Sequence, residues 1–386
     1  MLLTADTLLT GRELLRPGWI EVSNGTVYAV GTGAAPRPAD RDLGAVTVVP
    51  GFVDTHVHGG AGANFSTAST DVTSTAVELH RRHGTTTLVA SLVTAAPAEL
   101  LRQVTELADD VPGGLLAGIH LEGPWLSTKR CGAHQSSLMR DPDPTEIGRV
   151  LDAGAGAIRM VTLAPERDGA LAAIERIVDR GVVAAVGHTE ATYEQTRVAI
   201  AAGATVGTHL FNAMRPINTR EPGPVIALIE DARVTVELIT DGVHVHPALY
   251  RHVAHSAGPD RVSLITDAMA ATGMADGVYH LGPVAVDVVD GVARVAGTDT
   301  IAGSTATMDH QFRFAVKHSG LPRDEALMAA MRQASINPAR ALGLTCAGLV
   351  PGATADLVVL DSDLAVTGVL RQGSWVIEDE DVSRRP

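Results

Sequence analysis

Thr47-Val48-Val49-Pro50-Gly51-Phe52-Val53-Asp54-Thr55-His56-Val57-His58 runs from an apolar stretch into two histidines separated by one residue. Side chains along a strand alternate with period two, so His56 and His58 leave it on the same side. Two neutral imidazoles on one face, at the end of a rigid strand, make half of a first-row metal site. The same arrangement, a metal-competent side chain closing an apolar run, recurs along the chain and decides how the rest is read.

Eight such runs read as strands: Val48–His56, Thr86–Leu92, Leu115–Glu122, Ile158–Ala164, Val182–His188, Thr205–Phe211, Val234–Thr240 and Val262–Asp267. Helical segments lie between most of them, such as Ala98–Asp109, Gly169–Asp179 and Tyr193–Ala202. Near-continuously apolar strands alternating with helices predict an α/β fold, a closed parallel (β/α)8 barrel of the TIM type. The flanks read differently. Trp19–Val30 is a strand pair around Asn24-Gly25, a type I′ hairpin signal. Ala355–Asp361 and Val366–Ile377 supply short strands at the other end. The expected organisation is a barrel over residues 51–345 beside a small β-sandwich domain built from residues 1–50 and 346–386. A second hairpin, Val284–Val295 around Asp290-Gly291, interrupts the region after strand eight.

Composition narrows the function. At 386 residues the chain has room for one large domain and a smaller one. With 45% hydrophobic but only 3% aromatic residues, the core must be built from Ala, Val, Leu and Ile. No apolar stretch approaches the roughly 20 residues needed to cross a bilayer. Asp6, Arg12 and Glu13 spoil the basic-then-apolar order of a signal peptide. Two cysteines, Cys131 and Cys346, suit a reduced, cytoplasmic protein rather than a disulfide scaffold. A net charge of −14 argues against nucleic acid or an anionic membrane as partner. An anionic substrate would then need a local cluster of positive charge or metal. Lysine occurs only at Lys129 and Lys317, so arginine supplies almost all the positive charge.

In a parallel barrel the catalytic residues sit at the C-terminal ends of the strands. Strand one ends in His56 and His58, strand three in Glu122, strand five in Gly187-His188-Thr189, strand six in Thr208-His209-Leu210-Phe211-Asn212, and strand eight in Thr266-Asp267-Ala268. Any one of these reads equally well as a hydrogen-bonded core histidine or a helix-capping acid. Five strand ends aimed at one mouth predict a metal centre.

This set resembles the amidohydrolase superfamily and, within it, the N-acetylglucosamine-6-phosphate deacetylases. The resemblance runs from Pro50-Gly51-Phe52-Val53-Asp54 to Gly352-Ala353-Thr354-Ala355-Asp356 and the strand after it. Between them stand His120-Leu121-Glu122-Gly123-Pro124-Trp125, Gly187-His188-Thr189, Thr208-His209-Leu210-Phe211-Asn212-Ala213-Met214 and Thr219-Arg220-Glu221-Pro222-Gly223. Asp241-Gly242-Val243-His244, Thr266-Asp267-Ala268 and Ala302-Gly303-Ser304 complete the series. The resemblance implies hydrolysis of the N-acetyl group of N-acetylglucosamine 6-phosphate, in amino-sugar catabolism or cell-wall recycling. It also implies one or two divalent metals per subunit, Zn foremost and Fe, Co or Mn as alternatives. The implied ligands are His56, His58, Glu122, His188, His209 and Asp267, with Asp267 also the catalytic acid–base. Ala133, His134, Asn212, Ala213, His244, Ile301, Ala302 and Gly303 become substrate contacts. Arg220 becomes the phosphate clamp, reaching the neighbouring subunit of a homodimer.

Many binuclear amidohydrolases bridge their metals with a carboxylated lysine ending strand four. Here that strand ends Thr162-Leu163-Ala164-Pro165 with neither lysine near it, and the resemblance to the deacetylases implies Glu122 as the bridging or anchoring carboxylate instead. Some deacetylases replace the strand-one histidines by amides and bind one metal; this chain keeps both histidines. The competing expectations are another amidohydrolase, such as a D-aminoacylase or a dihydroorotase-like enzyme, and a non-catalytic barrel scaffold.

Overall fold

A computed structural model describes residues 1–345 and 348–377; Cys346 lies outside the described residues. Eight parallel strands follow one another around a single sheet in chain order. They are β1 (Phe52–Val57), β2 (Thr85–Leu92), β3 (Gly118–Glu122), β4 (Ile158–Leu163), β5 (Val183–Val186), β6 (Val206–Gly207), β7 (Thr235–Leu238) and β8 (Val262–Leu264). A helix follows each strand: α1 (Thr70–Arg82), α2 (Pro97–Ala108), α3 (Pro144–Ala153), α4 (Ala170–Asp179), α5 (Tyr193–Ala201), α6 (Gly223–Glu230), α7 (Pro247–Ala257) and α8 (Met308–His318). The ring closes beyond β8, where Asp267 N–H donates to His56 O at 2.8 Å and His58 N–H to Ala268 O at 2.8 Å. The (β/α)8 barrel expected from the sequence is therefore present.

Local chemistry explains the helices. In α4, Ala170, Ala173, Ile174 and Ile177 are buried, the i, i+3, i+4, i+7 stripe of a helix laid on a sheet. Asp143 caps α3 by accepting from the Thr145 and Glu146 amides, with Pro144 at the first helical position. Thr192 and Gln195 form a reciprocal capping box at the start of α5.

Expected boundaries shift in two ways. The run Val48–His56 is two strands. Thr47–Pro50 pairs with Leu357–Leu360 and Thr7–Leu9 in the flanking sheet, and only Phe52–Val57 enters the barrel. Pro50 has no N–H for a continuing ladder, and a Cβ at Gly51 would collide with Thr86. The second shift concerns strands five, six and eight, which stop at Val186, Gly207 and Leu264, short of their metal-competent residues. His188, His209 and Asp267 have φ of 46°, 27° and 48°. A left-handed residue cannot extend a β-ladder.

Beside the barrel lie a four-stranded sheet from residues 2–42 and a six-stranded sheet. The six-stranded sheet joins Thr7–Leu9, Leu14–Leu15 and Thr47–Pro50 to Leu357–Leu360, Val366–Arg371 and Ser374–Ile377. Leu3, Ile20, Val22 and Val27 meet Leu357, Val359 and Leu370 in their shared core. A three-stranded sheet, Gly277–Leu281, Val284–Val289 and Val292–Val295, packs on Val93, Ala133 and Met269 at the barrel mouth.

Candidate metal centre

Glu122, at the end of β3, stands at the middle of a ring of imidazoles. Its Oε1 lies 2.9 Å from His209 Nε2 and 3.1 Å from His188 Nε2. Its Oε2 lies 3.1 Å from His58 Nε2 and 3.1 Å from His134 Nε2. Asp267 Oδ1 closes the far side, 3.2 Å from His58 Nε2 and 3.5 Å from His56 Nε2. All seven side chains are buried.

Tautomers follow from the outward-facing nitrogens. Nδ1 of His58 lies 3.2 Å from Ser91 O, and Nδ1 of His188 lies 2.8 Å from Arg130 O. A carbonyl only accepts, so each Nδ1 carries a proton and each Nε2 is the nitrogen that faces the cluster. His134 is the reverse case. Thr94 N–H donates to its Nδ1 at 3.2 Å, so Nε2–H donates to Glu122. Inward, His188 and His209 face each other Nε2 to Nε2 at 3.1 Å, and His56 and His58 do so at 3.2 Å. Bare imidazole nitrogens at that separation repel unless a proton or a cation lies between them. This donor set fits a divalent metal, and the His56-His58-Glu122 cluster brings three ligand atoms within 4.8 Å of one another.

The electrostatics point the same way. Burial disfavours charging His56 and His58, yet the carboxylates of Glu122 and Asp267 outweigh it and raise both. Burial would raise the Glu122 and Asp267 carboxyls, but the imidazoles, His56 foremost, hold both well below the usual carboxylate range. His134 is pushed down to about 4 by burial, against the pull of Glu122, and stays neutral.

A cavity of about 490 Å³ opens above this cluster. It is lined by His58, Glu122, His188, His209 and Asp267, and by Ala133, His134, Asn212, Ala213, His244, Ile301 and Gly303. Of the expected contacts, Ala302 and Arg220 are elsewhere. Ala302 is fully buried behind its neighbours, its N–H donating to Ala293 O. Arg220 sits on the exposed turn Asn218–Glu221, away from its own chain's cavity. His244 is fixed by Asp241, whose Oδ2 lies 2.7 Å from Nδ1; burial opposes its charging, and Asp241 raises it nonetheless. The Asn212 amide N–H group donates to His209 O and Leu210 O, at 3.2 and 3.3 Å, leaving its carbonyl for a ligand.

Backbone strain concentrates here. His188, His209, Phe211, Ala213 and Asp267 are five of the twelve described non-glycine residues with positive φ, and such conformations persist only where the surroundings over-determine them. Gly132, at φ 54°, lets the loop after β3 press on the cluster, since a Cβ there would lie 3.0 Å from His188 Cε1.

Sequence reasoning passed over Asp54, His120, Lys129, Arg130 and Glu237. Asp54 is fully buried and accepts from Thr266 Oγ1 at 2.5 Å; burial pushes it up to about 7. His120 bridges Ser91 Oγ and Thr162 Oγ1 at 2.9 and 2.8 Å beneath Glu122. Its signal was available, because His120 and Glu122 are two apart and share a face, as His56 and His58 do. Lys129 and Arg130 line the cavity rim. Glu237 was visible as an acid inside an apolar run.

Residues 47–376 match the sequence pattern of the Amidohydrolase family. The chain is 36% identical over 380 residues to the N-acetylgalactosamine-6-phosphate deacetylase of Escherichia coli O157:H7, covering 96% of this chain and 98% of that one. It is 35% identical over 382 residues to the N-acetylglucosamine-6-phosphate deacetylase of Vibrio furnissii, covering 97% and 94%. Among solved structures, the D267A mutant of N-acetyl-D-glucosamine-6-phosphate deacetylase from Mycobacterium smegmatis, in complex with N-acetyl-D-glucosamine-6-phosphate, superposes with a TM-score of 0.97. It is 73% identical, over 98% of this chain and 99% of that one. Likeness of this extent, through the barrel, its strand ends and its β flank alike, has one reading: this chain belongs to the amidohydrolase family.

Proposed function

We propose that the protein hydrolyses the N-acetyl group of N-acetylglucosamine 6-phosphate, releasing glucosamine 6-phosphate and acetate. The observation that carries this is the convergence of His56, His58, His188, His209 and Asp267 on Glu122 at the floor of an open cavity. Its support in kind is the likeness to deacetylases of amino-sugar phosphates. The 73% identical relative in complex with the gluco sugar favours that epimer over the galacto sugar named for a 36% identical one.

An amide needs a strong nucleophile, a polarised carbonyl and a proton for the departing amine. His56, His58, Glu122, His188, His209 and Asp267 would hold a divalent cation, which would supply Lewis acidity and lower the pKa of water toward neutral. Imidazole and carboxylate donors suit Zn²⁺, with Fe²⁺, Co²⁺ and Mn²⁺ binding the same donor types. Asp267, depressed and therefore ionised, accepts the proton of the attacking water and returns it to the amine nitrogen. His134, a neutral Nε2–H donor, orients Glu122 or the acyl oxygen. His244, Asn212, Ala213, Ile301 and Gly303 hold the sugar against water. Arg220 suits a paired contact to phosphate, and its position off its own cavity supports a clamp in trans within a homodimer. Among the described residues no helix is long and apolar enough to cross a membrane; we place the activity in the cytoplasm.

Acetate release from N-acetylglucosamine 6-phosphate, its galacto epimer and unphosphorylated N-acetylglucosamine tests this reading. The expected order of kcat/KM puts the phosphorylated gluco sugar first. Equal rates for the free sugar, or no release from either phosphate, would overturn it.

A further inference from the structure

We infer that Arg130 is the positioning residue of His188: its carbonyl takes the His188 Nδ1 proton, and its guanidinium, clasped by Glu190, keeps that carbonyl in place. The inference rests on reading the centre as metal-binding.

His58 and His188 both hand their outward proton to a backbone carbonyl, and the two carbonyls differ. The acceptor for His58 is Ser91 O, inside β2 and held by the barrel ladder. The acceptor for His188 is Arg130 O at 2.8 Å, on the last residue of a single 3-10 turn, Thr128–Arg130, in the loop after β3. A turn of three residues has little stability of its own, and the last carbonyls of a helix have no partner within it. The strand cannot supply the rigidity either, because β5 stops at Val186 and His188 has a φ of 46°.

Side chains supply the anchor. Arg130 Nε donates to Glu190 Oε2 at 2.5 Å. Glu190 is held in turn, its N–H donating to Glu166 Oε1 at 2.6 Å, while Thr189 Oγ1 donates to Glu166 Oε2 at 2.5 Å. On the loop side, Ser127 N–H donates to His188 O and Arg130 N–H to Ser127 O, both at 2.9 Å. Arg130 thus meets the end of β5 twice, with its carbonyl on the His188 ring and its guanidinium two residues further on. A partly exposed ion pair adds little to global stability. This one closes a ring of contacts around a single imidazole, and such outer partners fix the orientation of a ligating histidine. The same loop carries His134 to Glu122, 3.1 Å away, so one clasp seats two contacts to the cluster.

The test is metal binding by the full chain, read without activity. Protein stripped by a chelator is titrated with Zn²⁺ against a chromophoric competitor, and His188→Ala marks the equivalent that depends on His188. Arg130→Gln and Glu190→Gln should each weaken that equivalent about tenfold, the lower end of the usual loss when an outer partner of a ligating histidine is disturbed. The double variant should be no weaker than either single one, because the two side chains act as one clasp. Arg130→Lys keeps a charge facing Glu190 and should recover part of the loss. Saturated with Co²⁺, Arg130→Gln should show an altered visible band, which a loss of global stability alone would not produce. Arg37→Gln, which breaks ion pairs with Glu21 and Asp40 on the flanking sheet, should match wild type throughout. Should Arg130→Gln fail to fold by circular dichroism, Glu190→Gln carries the same expectation. Wild-type affinity in the folded Arg130 and Glu190 variants, an unchanged cobalt band, or losses that add in the double variant overturn the proposal. If the affinities shift as stated while no acetate is released from the phosphorylated sugar, the functional reading fails and this one stands.

Discussion

Asp267 carries the most specific chemistry at the scale of a single residue. Its φ of 48° turns the side chain off the end of β8 and into the ring of imidazoles, 3.2 Å from His58 Nε2. Asp267→Asn keeps the shape and leaves five other candidate ligands in place, so metal should largely be retained. The amide cannot shuttle a proton, and positioned acid–base groups contribute about 10²–10⁴ in rate. A variant whose metal content matches wild type and whose kcat stays above about half would show that Asp267 is not the acid–base. His134 shows what residue identity leaves open. The sequence marks it as a loop histidine; only the fold buries it against Glu122 and sets its tautomer through the Thr94 amide.

At the scale of elements, α1 braces the end of β1. His80, buried on that helix, donates from Nε2 to Gly59 O at 2.9 Å, one residue beyond His58. Burial lowers it to about 4, whereas an unfolded histidine titrates near 6.5. Between those values the unfolded chain binds the extra proton, so stability rises with pH across the window. The contribution is complete above about 6.5 and lost as pH falls through about 4. A shift of this size corresponds to about 3 kcal/mol at most. His80→Gln can still donate to Gly59 O but does not titrate. Urea midpoints of the metal-stripped proteins between pH 7 and pH 4 should therefore fall less steeply for the variant; parallel slopes would exclude His80 as the source. The strands themselves were readable because a parallel sheet covered on both faces demands apolar runs. Their ends were not, because the same apolar pattern continues into residues whose left-handed backbone is set by contacts across the mouth.

The whole molecule raises the question of Arg220. Within one chain it is exposed and does not line the cavity, which is why the proposed phosphate role is assigned in trans. Arg220→Ala should raise KM for the phosphorylated sugar with little effect on the free one. Hydrogen bonds to charged groups are worth about 1.5–3 kcal/mol, on the order of ten- to a hundredfold in kcat/KM. A heterodimer of Arg220→Ala with Asp267→Asn would contain one site pairing an intact Asp267 with an intact arginine from the other chain. Isolated by two tags and assayed at sub-saturating substrate, it should exceed the mean of its parents. Activity no greater than that mean would mean the arginine serves its own subunit or none.

The barrel, its strand order and the histidines and carboxylates that close its strands were legible in the sequence alone, because alternation, apolar run length and residue chemistry are local properties. A period of two puts His56 with His58, and the ends of parallel strands share one mouth whatever the loops do. The β flank was legible in kind, from the Asn24-Gly25 hairpin signal near one end and the short strands Ala355–Asp361 and Val366–Ile377 near the other. Tertiary structure alone decided that Thr47–Pro50 leaves the barrel for the six-stranded sheet, since that depends on its pairing with Leu357–Leu360 near the other end of the chain. It alone brought Glu237 behind His56 and placed Thr94 N–H against His134, contacts between residues 181 and 40 positions apart. Such pairings are made by closure of the ring, and no window of sequence contains both partners.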